Sequence, residues 1–177
     1  MSLLSLVITT MLPVYIPLQF INKSINSFEI PITWQIPTVI LLTLIFQKEI
    51  VLKALYIYIF LGLFIAPVFH QGGSLGYLLT PNFGYLLGVY PLIKIIDNLN
   101  ANNKINVGNF LINGFIAICA LHLTGIFYNF IQIIFFSQFN IFLYNLGKYS
   151  VGKIGFHFLM LFPLLLLIKP INRIKVS

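Results

Sequence analysis

Residues 60–89 read FLGLFIAPVFHQGGSLGYLLTPNFGYLLGV, and this stretch decides the fold. It is an apolar helix that ends near Pro67, an elbow, and a second apolar helix that begins after Pro81. From Ala54 to Ile93 there is no Lys, Arg, Asp or Glu, and beyond Tyr the one ionisable side chain is His70. Roughly 40 residues at about 1.5 Å rise each reach across a bilayer twice. The elbow, Ala66 to Pro81, collects what apolar helices lack. Gly72, Gly73 and Gly76 permit irregular backbone, while His70, Gln71, Ser74 and Asn82 bring hydrogen-bonding side chains. Irregular polar backbone between two spans persists where protein or a cavity covers it, so the elbow is the candidate ligand site.

Composition agrees with a membrane setting. Of 177 residues, 59% are hydrophobic and 7% charged, with a mean hydropathy of +1.00. A soluble domain carries about 25% charged residues, so residues 1–177 read as one integral membrane domain. The formal net charge of +7 does not point to nucleic acid, because the basic residues stand singly between apolar runs as orientation signals. Cys119 is alone, which leaves no disulfide or Cys-based metal site within one chain. The N-terminus, MSLLSLVITTMLPVYIPLQF, has no basic leader and no small-residue cleavage site, and reads as a retained first span.

The apolar runs predict an all-α protein. Span one covers about Leu3 to Phe20, interrupted by Pro13 and Pro17, with Ser5 and Thr9 as a small-xxx-small pair. Ile21 to Ile32 reads as a polar connection, followed by Trp34 and Gln35 between Pro31 and Pro37. Spans two, three and four fall at about Ile36 to Phe46, Val51 to Val68 and Phe83 to Ile96. Span five covers about Gly108 to Tyr128, Asn129 to Tyr149 reads as a Phe-rich outer connection, and span six covers about Ile154 to Ile168. With six spans and both termini cytoplasmic, Lys48, Lys53, Lys94, Lys104, Lys169, Arg173 and Lys175 lie inside, against Lys23, Lys148 and Lys153 outside. That 7 to 3 split fits the positive-inside rule better than the 6 to 4 split of seven spans.

Catalytic machinery is sparse. Glu29, Glu49 and Asp97 are far apart in sequence, and His70, His122 and His157 come from three segments without ligand spacing. In the six-span topology Trp34, Gln35, Gln71, Asn82 and Tyr85 fall on the outer side with Lys148 and Lys153. Aromatic faces suit a flat ring system, amides suit a group with both donor and acceptor, and a Lys suits an anion. A binding protein is the leading reading. The alternatives are an intramembrane lipid-modifying enzyme using His70 or His157, and a small structural membrane subunit without a ligand.

The motif in residues 66–89, APVFHQGGSLGYLLTPNFGYLLGV, resembles the BioY family, the biotin-binding S components of energy-coupling-factor transporters. The family pattern is GLPVFAGGxGG…GPTGGYLxGF, matched here by Pro67, Val68, Phe69, Pro81, Gly84, Tyr85, Leu86 and Gly88, with Gly72 and Gly73 among the loop glycines. PITWQIPTVILL is similar to the family's VPxTLQ segment through Thr33 and Gln35, and CALHLTGIFYN resembles YxxGVxWL through Gly125. The chain departs from the family where PGDLxK is usual. VGKIGF has Val151 for Pro, Lys153 for Asp and Phe156 for Lys.

The resemblance implies a six-helix S component in a bacterial-type cytoplasmic membrane, needing no cofactor, that takes up extracellular biotin. Trp34, Gln35, Gln71, Asn82 and Tyr85 would line the ligand site, with Lys153 toward the carboxylate. It also implies partners, namely a transmembrane coupling protein and two ATPase subunits. The family's AxxxA docking pattern on helix one appears here in the weaker form Ser5-xxx-Thr9.

Overall fold

The computed structural model describes the backbone of residues 2–21, 24–70, 72–101, 105–136 and 139–176. It describes their side chains except at 15–21, 24–31, 100, 101, 135, 136, 169 and 172–176. Helix α1 (Ser2–Met11) is followed by strands β1 (Pro13–Ile21) and β2 (Ser24–Thr33), then by α2 (Gln35–Ile45) and α3 (Lys48–Phe64). After the elbow come α4 (Pro81–Leu87), α5 (Val89–Asp97) and α6 (Val107–Phe136). The chain closes with α7 (Phe139–Asn145), a π-helical turn (Leu146–Val151), α8 (Gly152–Leu159) and α9 (Leu161–Val176).

The fold is predominantly helical, with one correction to the all-α expectation. The second half of the expected span one and the expected polar connection pair as an antiparallel two-stranded hairpin. Its register is irregular between Pro13 and Val14 and between Pro17 and Gln19, where a proline has no N–H to give a ladder. The Trp34 amide donates to the Leu12 carbonyl at 3.2 Å and closes the base of the hairpin. Val14 and Ile32, both buried, seat that base on Phe156 and Met160.

Proline also sets the helix breaks. Pro91 cannot donate to the Leu87 carbonyl four residues back, and the expected fourth span divides at Gly88 into α4 and α5. Pro163 stands in the same relation to Leu159, where α8 gives way to α9. At α4 the proline is favourable, because Pro81 takes the first helical position, where an amide has no intrahelical partner.

A further correction concerns residues 129–149, expected as an outer connection. Most of them are helical: α6 runs on to Phe136, and α7 starts at Phe139. Two helical stretches, Val107–Ile134 and Phe139–Ile168, span 28 and 30 residues with mean hydropathy 2.0, long and apolar enough to cross a membrane.

α4 and α5 lie against α6 at glycine crossings. An ideal Cβ on Gly88 would stand 2.5 Å from the Leu121 carbonyl oxygen, and one on Gly84 would stand 2.5 Å from Tyr128 Cβ. Small residues let helix backbones approach this closely, which is how packing holds helices together in lipid. Phe110, Ile118, Leu121, Leu92, Ile93 and Ile96 fill the centre of the resulting core.

Candidate functional site

The elbow is built from hydrogen bonds that helices cannot supply. Pro67 stops the third helix, and the Val68 amide turns back onto the Ala66 carbonyl at 2.8 Å. Phe69 and Gly72 then exchange both backbone bonds, at 2.9 and 3.1 Å. Gly72 has φ +127°, a conformation that side chains resist. The Ser74 amide ties the returning strand to the Gly62 carbonyl at 2.8 Å. This geometry seats the Phe69 ring directly on Gly62, where a Cβ would come within 2.1 Å of it.

Phe69 anchors a row of aromatic rings. Its ring centroid is 5.2 Å from that of Tyr58, edge-on, and 4.4 Å from that of Tyr77. Tyr58 hydroxyl meets Thr10 Oγ1 at 3.0 Å and donates to the Val68 carbonyl at 3.2 Å. From the other side, Tyr128 donates to the Leu78 carbonyl and Gln132 Nε2 to the Leu79 carbonyl at 3.0 Å, so α6 holds the turn that precedes α4.

Between the elbow, the hairpin base and the π-helical turn lies a cavity of about 460 Å³. Thr33, Gln35, Asn82, Tyr85, Lys148 and Lys153 contribute polar groups to its wall, as do His70 and His157, and Tyr58, Phe69, Tyr77 and Tyr149 contribute rings. Lys148 and Lys153 each place Nζ 5.3 Å from the centre of the Tyr149 ring. No acidic side chain stands among the described lining residues, so the cavity is electropositive at the Tyr149 end. The π turn explains how a helix delivers Lys148, Tyr149 and Ser150 together. Such local over-wide turns re-aim side chains and recur at functional sites.

Of the residues singled out from the sequence, Gln35, Asn82, Tyr85 and Lys153 come together on this wall. Trp34 does not. It is 39% exposed and stands off the described lining, at the junction of hairpin and α2. Gln71 lies outside the described residues. Ser5 and Thr9 sit half-buried on α1, away from the cavity, with Thr9 Oγ1 donating to the Ser5 carbonyl at 2.6 Å.

Sequence spacing missed a polar cluster behind the wall. Tyr85 hydroxyl lies 2.6 Å from Ser150 Oγ, which is 3.3 Å from His122 Nδ1, and His122 Nε2 is 3.0 Å from His157 Nδ1. His122 and His157 are 35 positions apart on separate helices, so only the fold brings them together.

The sequence model of the BioY family matches residues 1–163. The chain belongs to the BioY family. As such it is a membrane protein, in keeping with its apolar helices. Its fold is similar to the crystal structure of the S-component for biotin from an ECF-type ABC transporter, with a TM-score of 0.64 over 99% of this chain and 87% of that one. The identity is 18%, so this likeness speaks to the fold. No curated protein matches the chain. Three of the motif residues have packing roles in this chain: Gly84 and Gly88 permit the α4/α5–α6 crossing, and Phe69 caps Gly62.

Proposed function

We propose that this BioY-family chain is the substrate-binding membrane subunit of a vitamin uptake transporter, and that its substrate is biotin. The observation that carries this reading is the cavity, with Gln35, Asn82 and Tyr85 on its wall and Lys148 and Lys153 around Tyr149 at one end. Biotin is a fused bicycle carrying a cyclic urea at one end and a carboxylate on a flexible chain at the other. The amides and the tyrosine hydroxyl complement the urea, which offers both donors and an acceptor. The two ammonium groups complement the carboxylate, and one of them, Lys153, takes the place of the family's usual acid. A volume of about 460 Å³ is in the ordinary range for small-molecule sites.

In this reading the protein has six membrane spans with both termini in the cytoplasm of a bacterial-type cell, and the cavity opens to the outside. Biotin bound there is imported when a transmembrane coupling protein and two ATPases act on the loaded subunit. Equilibrium binding of labelled biotin to the detergent-purified protein tests the reading. Tight binding, on the order of −12 kcal/mol, is expected; no binding sinks it and leaves an intramembrane enzyme or a ligand-free subunit.

A further inference from the structure

Tyr85, Ser150, His122 and His157 form a row of hydrogen bonds that leaves the cavity wall and returns to it. Tyr85 and His157 line the cavity, whereas Ser150 and His122 do not, and these two are 4% and 2% exposed. The row ties α4, the π-helical turn, α6 and α8 to one another.

With Ser150 Oγ accepting on one side and donating on the other, the row has two states. A neutral imidazole has one N–H and one acceptor nitrogen, and the 3.0 Å contact between His122 Nε2 and His157 Nδ1 holds one proton. If His122 Nε2 carries it, His122 Nδ1 accepts from Ser150, Ser150 accepts from Tyr85, and the proton of His157 is on Nε2, the ring nitrogen left for the cavity. If His157 Nδ1 carries it, every bond reverses. His122 Nδ1 then donates to Ser150, Ser150 donates to Tyr85, the Tyr85 proton is released for the cavity, and His157 Nε2 becomes an acceptor. Both histidines are protonated on Nε2 in the first state and on Nδ1 in the second. In either state one end of the row offers the cavity a donor and the other an acceptor.

We propose that this row is a tautomeric relay in which His122 and Ser150 act as positioning residues, setting Tyr85 and His157 as a matched donor–acceptor pair for a ligand that carries both functions, as a cyclic urea does. The choice of ligand rests on the proposed biotin reading; the relay itself does not. Hydrogen-bonded chains of this kind act as a unit, because each member polarises the next.

The test is 15N NMR of the full-length protein labelled at histidine and solubilised in detergent, with and without biotin. In the ligand-free protein His122 and His157 are expected to show the same neutral tautomer. Tyr85→Phe removes the acceptor that Ser150 needs in the second state, so both rings of that variant are expected to be protonated on Nε2. Mixed tautomers, a cationic ring, or Nδ1 protonation in the Tyr85→Phe protein would overturn the relay. Ser150→Ala cuts the same row, and though it does not touch the cavity it is expected to weaken biotin binding on the order of tenfold. Unchanged affinity would overturn the role in ligand binding. Failure of the parent protein to bind biotin would count against the proposed substrate, and the ligand-free spectra would still decide the relay.

Discussion

Tyr85 crosses α6 directly over Gly125, with so little clearance that a Cβ on the glycine would stand 2.4 Å from the tyrosine ring. The glycine thus sets where the Tyr85 hydroxyl points, and that hydroxyl reaches Ser150 at 2.6 Å beside the cavity. Gly125→Ala would gain up to about 1 kcal/mol of helix propensity. Overpacking a close contact costs about 1–3 kcal/mol, so the net effect is unfavourable. The ring must move, and the expected outcome is weaker biotin binding, by about 1–3 kcal/mol for one displaced polar group, in protein that still folds. Titration with labelled biotin checks it; an affinity equal to the parent's would remove Tyr85 from the wall.

The crossing at Gly88 is less forgiving. A Cβ there would meet the Leu121 carbonyl oxygen at 2.5 Å and its Cα at 2.9 Å, and backbone atoms cannot swing aside as a ring can. Gly88→Ala is therefore expected to lower the thermal midpoint in detergent, with a loss of about 1–3 kcal/mol. Gly155 is the control, since a Cβ there meets nothing within 4 Å, and Gly155→Ala should be neutral or mildly stabilising. Equal behaviour of the two variants would mean that α5 and α6 do not approach as closely as described.

The legible and illegible parts of this chain divide along physical lines. The elbow was readable because Pro67, Gly72, Gly73 and Pro81 are strong punctuation, and Asn82 and Tyr85, on the helix that follows it, line one cavity with Gln35 and Lys153. The hairpin was not. Its apolar segments carry neither a glycine turn nor a strict alternation, and short apolar runs do not distinguish strand from buried helix. The helical residues from Asn129 to Phe136 and from Phe139 to Asn145 were missed because the basic-residue count alone set that region, although Ile126 to Leu146 contains no Gly or Pro to stop a helix. The π turn and the meeting of His122 with His157 have no local signature, because both depend on how α6 and α8 are set against each other.

At the far end of the bundle from the elbow, Lys48 Nζ meets Asp97 Oδ2 at 3.1 Å, joining the head of α3 to the end of α5. The aspartate, through its hydrogen bond and then its charge, holds the Lys48 ammonium above the ordinary lysine value. A group raised on folding stabilises the folded state below its unfolded pKa and loses that contribution as pH climbs through the folded value. The unfolding midpoint should thus fall as pH passes upward through the lysine range, and fall less in Asp97→Asn. Both partners are partly exposed, so the difference should be small and should shrink in high salt. Identical alkaline profiles for the two proteins would show that the pair contributes nothing.

On α1, the outward face carries Leu4, Ile8 and Met11, all exposed, with Ser5 and Thr9 along its border. Because Thr9 satisfies its hydroxyl on the Ser5 carbonyl, the pair presents two small side chains without an unpaired polar group. That suits close approach of a partner helix. If the coupling protein docks there, Ser5→Leu with Thr9→Leu should abolish uptake in cells expressing the whole transporter while leaving biotin binding intact. Undiminished uptake would move the docking surface elsewhere.

Lys148 and Lys153 share the Tyr149 ring, at 5.3 Å each, and no described lining residue supplies a carboxylate to neutralise them. Two cations beside one aromatic ring make a place for an anion, and a carboxylate ligand would relieve their mutual repulsion. Lys153→Met keeps the length of the side chain and removes the charge, so the cavity shape changes little. A charge-assisted hydrogen bond contributes about 1.5–3 kcal/mol, which sets the expected loss of biotin affinity. Biotin methyl ester supplies the decisive comparison, because it keeps the urea and the rings and lacks the negative charge. The parent protein should prefer biotin to its ester, and Lys153→Met should narrow that preference, with Lys148→Met in the same protein narrowing it further. If biotin and its ester bind the parent equally well, the lysines do not hold the carboxylate, and the chain of the ligand must leave the cavity by another side.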